Sequence, residues 1–285
     1  MFLRASIQSI VLLCAIFVTP QAPATETVPA HETLQIESRE LGETRVVNVW
    51  LPPGYETGKG HGYPVLYMPD GGIAEDFPHV AKTVDALVRQ GNIPPMLVVG
   101  IENTQRRRDL TGPTEVDQDR GIAPVVGGSA AFRAFIADEL KPLIGKRYAV
   151  NDKSAIMGES VAALFIVETL FLQPDLFDIY IALDPSLWWN NEQWTREAGA
   201  RLEAVGAIDV RLLLASADDN GNRMVTMNLV RALCAHPAAG LHWTHAAHPE
   251  LRHDTIYRSL ERQMLEQAFS EDFDAKQACN ADTPR

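Results

Sequence analysis

Lys153-Ser154-Ala155-Ile156-Met157-Gly158-Glu159-Ser160-Val161-Ala162-Ala163-Leu164-Phe165 is the stretch on which the fold turns. A short apolar run ends at Met157, a Gly-x-Ser-x-small sequence follows, and then comes an apolar segment of helix formers. A strand that turns sharply into a helix has this layout, and the turn lifts a serine hydroxyl above a sheet. The backbone at such a turn is strained and close to its neighbours, so small residues must flank the serine. Gly158 meets that demand. Ala162 stands where glycine is usual, and its methyl is small enough for close helix–strand packing. The five-residue pattern is common by chance, and an ordinary turn carrying a surface serine has the same pattern. The rest of the chain decides between the two.

Outward from this stretch, apolar strands alternate with helical segments. Pro64–Met68, Met96–Ile101, Ile179–Leu183 and Val210–Ser216 read as short buried strands, and Leu241–Ala246 as a last one. Between and after them, Val80–Val88, the face formed by Phe132, Phe135, Ile136 and Leu140, Val161–Leu172, residues 192–204, Met224–Cys234 and Thr255–Ala268 read as helices. That alternation predicts an α/β fold with a mostly parallel sheet and helices on both faces. Near the start, residues 33–37 and 44–51 alternate apolar and polar around Leu41-Gly42-Glu43, the pattern of an antiparallel pair extending one edge of the sheet.

The chain has 285 residues, 46% hydrophobic and 22% charged, with a formal net charge of −12. The acidic balance and the absence of a long basic run argue against nucleic acid and anionic membranes as partners. The start of the chain reads as a secretory signal peptide over residues 1–24: Arg4, the apolar run Ile10–Val18, then Ala22-Pro23-Ala24. That run is too short for stable membrane insertion, and its reading implies a periplasmic or secreted protein. Residues 25–31 form a polar leader, 32–270 the folded α/β domain, and 271–285 a C-terminal tail. Cys234 and Cys279 remain after cleavage and are able to pair in an oxidising compartment. No Cys/His spacing resembles a metal site, and His61, His79 and His242 read as surface or structural residues.

Ligands of parallel α/β sheets bind beyond the carboxyl ends of the strands. Those ends carry Asp70-Gly71-Gly72, Asn103–Asp109, Ser160, Asp184-Pro185-Ser186-Leu187-Trp188-Trp189 and Asp218-Asp219, with His253 beyond the last. Serine, acid, histidine is the chain order of α/β-hydrolases. Ser160 needs a base, an imidazole is the side chain suited to that task near neutral pH, and a carboxylate must fix its tautomer. A tetrahedral oxyanion needs backbone donors. Val161 N–H, at the start of the helix after the serine, is one, and Gly71 or Gly72 is expected to provide the other.

The elbow Gly158–Phe165 resembles that of the putative esterase family of α/β-hydrolases, the esterase D-like group. The resemblance continues in Val98–Thr104 with Arg106 and Arg108–Thr111, in Glu139-Leu140-Lys141-Pro142, in Asp184–Trp189 and in His253–Tyr257. These ordered blocks span residues 33–268, and the alanines at 162 and 163 replace glycines of many members. The resemblance implies a carboxylic ester hydrolase with Ser160 as nucleophile and His253 as base. It places the acid at Asp219, with Asp218, Asp184, Glu250 or no acid left open. Glu159, Trp188 and Arg108 are candidate substrate contacts. Each has a plainer reading: Glu159 facing water, the Trp188–Trp189 pair packing, and Arg106 and Arg108 pairing with acids. No metal or organic cofactor is expected, the partner is a small-molecule ester, and the oligomeric state is open. The rival readings are an acyltransferase using the same Ser–His machinery and a non-catalytic binding protein on a hydrolase fold.

Overall fold

The computed structural model describes residues 28–58, 60, 62–206, 208–217, 221–273 and 279. The signal-peptide reading of residues 1–24, His61, and the acids Asp218 and Asp219 lie outside these described residues.

Among the described residues eight strands form one sheet in the order β1-β2-β4-β3-β5-β6-β7-β8. Strands β1 (Glu32–Ser38) and β2 (Glu43–Trp50) form the antiparallel edge, with β2 also antiparallel to β4 (Leu97–Ile101). From β4 the pairing is parallel through β3 (Tyr63–Met68), β5 (Val150–Glu159), β6 (Ile179–Leu183), β7 (Val210–Ala217) and β8 (Leu241–His248). The expected mixed sheet is therefore present, with its antiparallel edge at the N-terminal pair.

Side chains alternate across the pleat, so each strand contributes to two cores. Tyr67, Ile156, Leu212 and Leu214 face one layer; Leu66, Met68, Met157 and Leu213 face the other. The second layer is closed by α1 (Phe77–Gln90) and α9 (His253–Ala268). The loop after β4 carries α2 (Arg106–Asp109) and α3 (Asp117–Arg120), which lead to the first layer. That layer contains α4 (Ser129–Ala134), α5 (Lys141–Arg147), α6 (Val161–Leu172), α7 (Trp189–Ala204) and α8 (Asn222–Ala235). The face of Phe132, Phe135, Ile136 and Leu140 lies on a longer helical run than expected. A π-helical segment, Phe135–Leu140, joins α4 to α5 without a break. Helix α6 is buried along almost all its length, as its uniformly apolar sequence requires.

Two features of packing set up the site. A Cβ on Gly158 would lie 2.7 Å from the Ala162 Cβ, so glycine at 158 is what admits the methyl at 162. A Cβ on Gly71 would lie 2.2 Å from the Gly100 Cα, so the turn after β3 rests directly on β4. Cys234, at the end of α8, is disulfide-bonded to Cys279 with the Cα atoms 5.6 Å apart. Among the described residues no helix is long and apolar enough to cross a membrane.

Candidate active site

Three turns at the carboxyl ends of β3, β5 and β6 each hold a non-glycine residue at positive φ: Asp70 (56°), Ser160 (63°) and Asp184 (44°). This region costs free energy for residues bearing a Cβ and persists only where the surroundings enforce it. At Ser160 the enforcement is visible. Its N–H donates to Leu183 O (3.0 Å), and its carbonyl accepts from Ser186 N–H (3.0 Å) and Leu164 N–H (3.0 Å). Backbone bonds from β6, from the turn after it and from α6 thus hold the serine at the tip of the elbow.

His253 is the first residue of α9. The Thr255 hydroxyl accepts from Arg252 N–H (3.1 Å), closing the start of that helix. The imidazole Nδ1 lies 2.6 Å from Asp184 Oδ2, and Nε2 lies 3.0 Å from Ser160 Oγ. An ionised carboxylate only accepts, so Nδ1 carries the proton and Nε2 presents its lone pair to the serine hydroxyl. Asp184 is fully buried. It also accepts from Ala217 N–H (3.0 Å) and Asn222 Nδ2 (3.2 Å), so its lone pairs are met by donors from β7 and α8.

The carboxylate brought to His253 is therefore Asp184, from the turn after β6. The sequence reading had left Asp184 open and set Asp219 first; Asp219 and Asp218 lie outside the described residues. Glu250 is not at the imidazole: it accepts from His248 Nδ1 (2.8 Å) at the surface.

Both glycines expected in the oxyanion hole need correction. Gly71 N–H donates to Ile101 O (2.9 Å) as part of the close β3–β4 contact, and Gly72 N–H donates to Glu75 Oε2 (2.7 Å). Neither amide faces an open site. Val161 N–H belongs to the first turn of α6, where amides have no partner within the helix.

The other candidates separate cleanly. Arg108 is held by Glu43 (2.7 Å) and Asp109 (2.6 Å), so it is a structural cation rather than a free substrate contact. Arg106 forms a two-pronged pair with Asp70 (2.6 and 2.7 Å). Trp189 is buried and donates its indole N–H to Gly112 O (3.0 Å), whereas Trp188 is only half-buried. Glu159 lies beside the imidazole, with Oε1 4.0 Å from His253 Nδ1. Burial pushes its carboxyl up to about 7; Asp76 and Asp184 add to this and His253 and Arg106 oppose it.

Two neighbours escaped the sequence reading. Asn222 joins α8 to Asp184, and the buried Ser186 places its Oγ 3.3 Å from Ser160 Oγ. Ser186 follows Asp184 by two residues, which is a signal only once the turn is known to reach the elbow. A second serine–histidine contact, Ser216 Oγ to His245 Nε2 at 3.0 Å, joins β7 to β8. Ser216 is completely buried, so no substrate reaches it.

The family described as Putative esterase matches residues 38–253, about three-quarters of the chain. The ferri-bacillibactin esterase BesA of Bacillus subtilis (strain 168) is 32% identical over 184 residues, covering 58% of this chain and 61% of that protein. The siderophore triacetylfusarinine C esterase of Aspergillus fumigatus is 28% identical over 200 residues, covering 64% of each. The chain thus spans less than two-thirds of the length of these two relatives. Among solved structures, an IroE-like serine hydrolase from Shewanella oneidensis superposes with a TM-score of 0.75 at 27% identity, covering 84% of this chain and 79% of that one. With a parallel sheet of this order, a strained serine elbow and a family match of this extent, the chain belongs to the Putative esterase family and has the α/β-hydrolase fold.

Proposed function

We propose that the protein is a serine esterase that cleaves a carboxylic ester through an acyl-enzyme. The observation that carries this reading is the contact of His253 Nε2 with Ser160 Oγ at 3.0 Å, with Nδ1 on a buried carboxylate. Ser160 Oγ attacks the ester carbonyl carbon while its proton passes to His253 Nε2. Asp184 holds the imidazole tautomer and stabilises the imidazolium that forms. Val161 N–H, with the positive end of the α6 dipole behind it, faces the developing oxyanion. Collapse of the tetrahedral intermediate breaks the C–O bond, and His253 gives its proton to the departing alcohol. Water then attacks the acyl-enzyme with His253 as base, and the carboxylic acid leaves.

The relatives named for siderophores make ester-linked siderophores the first natural substrates to try. An acyltransferase would share every step up to the acyl-enzyme, and product analysis with alcohols present beside water separates the two. Ser160→Ala is expected to lower kcat/KM for p-nitrophenyl acetate by roughly 10³-fold or more. Retained turnover in that variant overturns the assignment. An organophosphonate probe is expected to label Ser160 alone, and a folded protein that resists it favours a binding protein on a hydrolase fold. Residues 1–24 are proposed as a cleaved signal peptide of a periplasmic or secreted protein. The disulfide supports an oxidising compartment, and N-terminal sequencing of the exported protein tests the cleavage.

A further inference from the structure

Every carboxylate oxygen of Asp184 has a donor; Glu159, from the neighbouring strand end, is in the opposite condition. Glu159 Oε1 is buried and has no hydrogen-bond donor. The imidazole of His253 lies beside it, with Nδ1 4.0 Å from Oε1 and turned to Asp184. Arg106 is bound to the side chain of Asp70 and reaches the carbonyl oxygen of Glu159, at 3.5 Å. Removing a carboxyl from water without a donor is costly, and a fold gains nothing from it that glutamine or methionine would not provide more cheaply. Oε1 itself is shielded from water, but the side chain as a whole is 20% exposed, so the carboxyl lies at the edge of the space open to a bound molecule. Glu159 precedes Ser160 directly, and the two side chains flank the same imidazole ring. A group bound at one lies within a few bonds of a carbonyl held at the other.

We propose that Glu159 is a specificity residue that accepts a hydrogen bond from an N–H donor on the substrate, a few bonds from the scissile ester. This rests on the esterase reading and names the class of ester it selects: those carrying an amide or ammonium N–H close to the ester group. The groups around the carboxyl are His253 from α9, Arg106 from α2, Asp76 ahead of α1 and Asp184 after β6. Arg106 is held by Asp70 and His253 Nδ1 by Asp184, so a donor from the substrate supplies what the protein leaves out.

The test uses two pairs of esters matched in shape. On the acyl side, the p-nitrophenyl ester of N-acetylglycine is compared with that of 4-oxopentanoate, in which a CH₂ replaces the N–H. On the alcohol side, 2-acetamidoethyl acetate is compared with 4-oxopentyl acetate. The ratio of kcat/KM within each pair is measured at pH 8 for the wild type and for Glu159→Leu; the variant's ratio cancels intrinsic reactivity. The expected result is a preference for the N–H ester, in at least one pair, that falls about tenfold in Glu159→Leu, the size of one hydrogen bond to a charged group. Glu159→Gln retains part of it, because the amide oxygen still accepts. If Glu159→Leu does not fold, the Gln variant must still shrink the preference. Unchanged ratios in both pairs overturn the role of Glu159 and leave the esterase reading standing. A wild type that hydrolyses none of the four esters, nor p-nitrophenyl acetate, overturns the esterase reading itself.

Discussion

Helix α9 takes part in two carboxylate–imidazole pairs, and they behave in opposite ways. At its first residue, His253 places Nδ1 on Asp184 and keeps Nε2 for the Ser160 hydroxyl. Eight residues on, Glu261 reaches back to His79 of α1, whose Nδ1 it binds. The second nitrogen of His79 goes to Asp76 Oδ1 (3.0 Å), and the Thr83 hydroxyl also donates to Glu261. The His79 side chain is 4% exposed and that of His253 is 26% exposed. Burial works against the charged form of His79, yet its bonds to Asp76 and Glu261 prevail and hold it at about 9. With both nitrogens donating to carboxylates, His79 is a locked imidazolium that joins two helices. A histidine able to relay a proton must keep one nitrogen free of carboxylates and close to a group that gives up hydrogen. Each pair joins an imidazole to a carboxylate; the second partner of the imidazole separates them.

Asp184→Asn is the strongest way to break this comparison. A neutral amide in its place is expected to favour the wrong imidazole tautomer and lower kcat by about 10⁴-fold. Asp219→Asn is expected to lower it less than about tenfold. The reverse order in steady-state hydrolysis would transfer the orienting role to Asp219. Next in size is the tether at the far end of α8. Cys234→Ser with Cys279→Ser opens a closure between positions 45 residues apart, worth about 4 kcal/mol in chain entropy. Urea unfolding should register that loss, while kcat of the folded enzyme stays unchanged.

The locked pair gives a third test, through pH. The folded pKa of His79 lies above the unfolded value of 6.5, so its stabilisation is complete below 6.5 and disappears as pH rises through about 9. Its size is at most about 3 kcal/mol. Unfolding free energies measured from pH 6 to 10 should fall across that window in the wild type and stay flatter in His79→Gln. Activity of the folded variant at pH 7 should be unaffected; a loss there would mean that α1 and α9 also set the position of His253. A smaller effect than the loss of Asp184 itself is expected from Asn222→Ala. It removes the amide that donates to Asp184 (3.2 Å), and a fall in kcat of about tenfold is expected with little change in KM.

Much of the fold could be read from local pattern. The apolar runs at 64–68, 179–183 and 210–216 all lie in parallel strands, and the alternating pair near the N-terminus forms the antiparallel edge. Helix α6 lies where its apolar run lies. The elbow was legible because strain demands small residues at fixed offsets from one serine, and His253 because the block His253–Tyr257 resembles the family's. Both signals are carried by residue identity within a few positions.

Pairings across the fold were not legible in the same way. Gly71 and Gly72 read as oxyanion donors, yet their amides serve the β3–β4 contact and the Glu75 side chain. Arg108 read either as a substrate contact or as the partner of an acid, and it took the fold to bring up Glu43, 65 residues away, to hold it. The choice among four acids depended on which turn reached the imidazole. Sequence alone determined the order of strands and helices, the strained serine and the histidine that follows it. Only the tertiary structure decided that Asp184 meets that histidine. A positive φ at Asp184 and the β5–β6–β7 register aim its carboxylate under α9, and register and turn conformation come from contacts among segments distant in the chain.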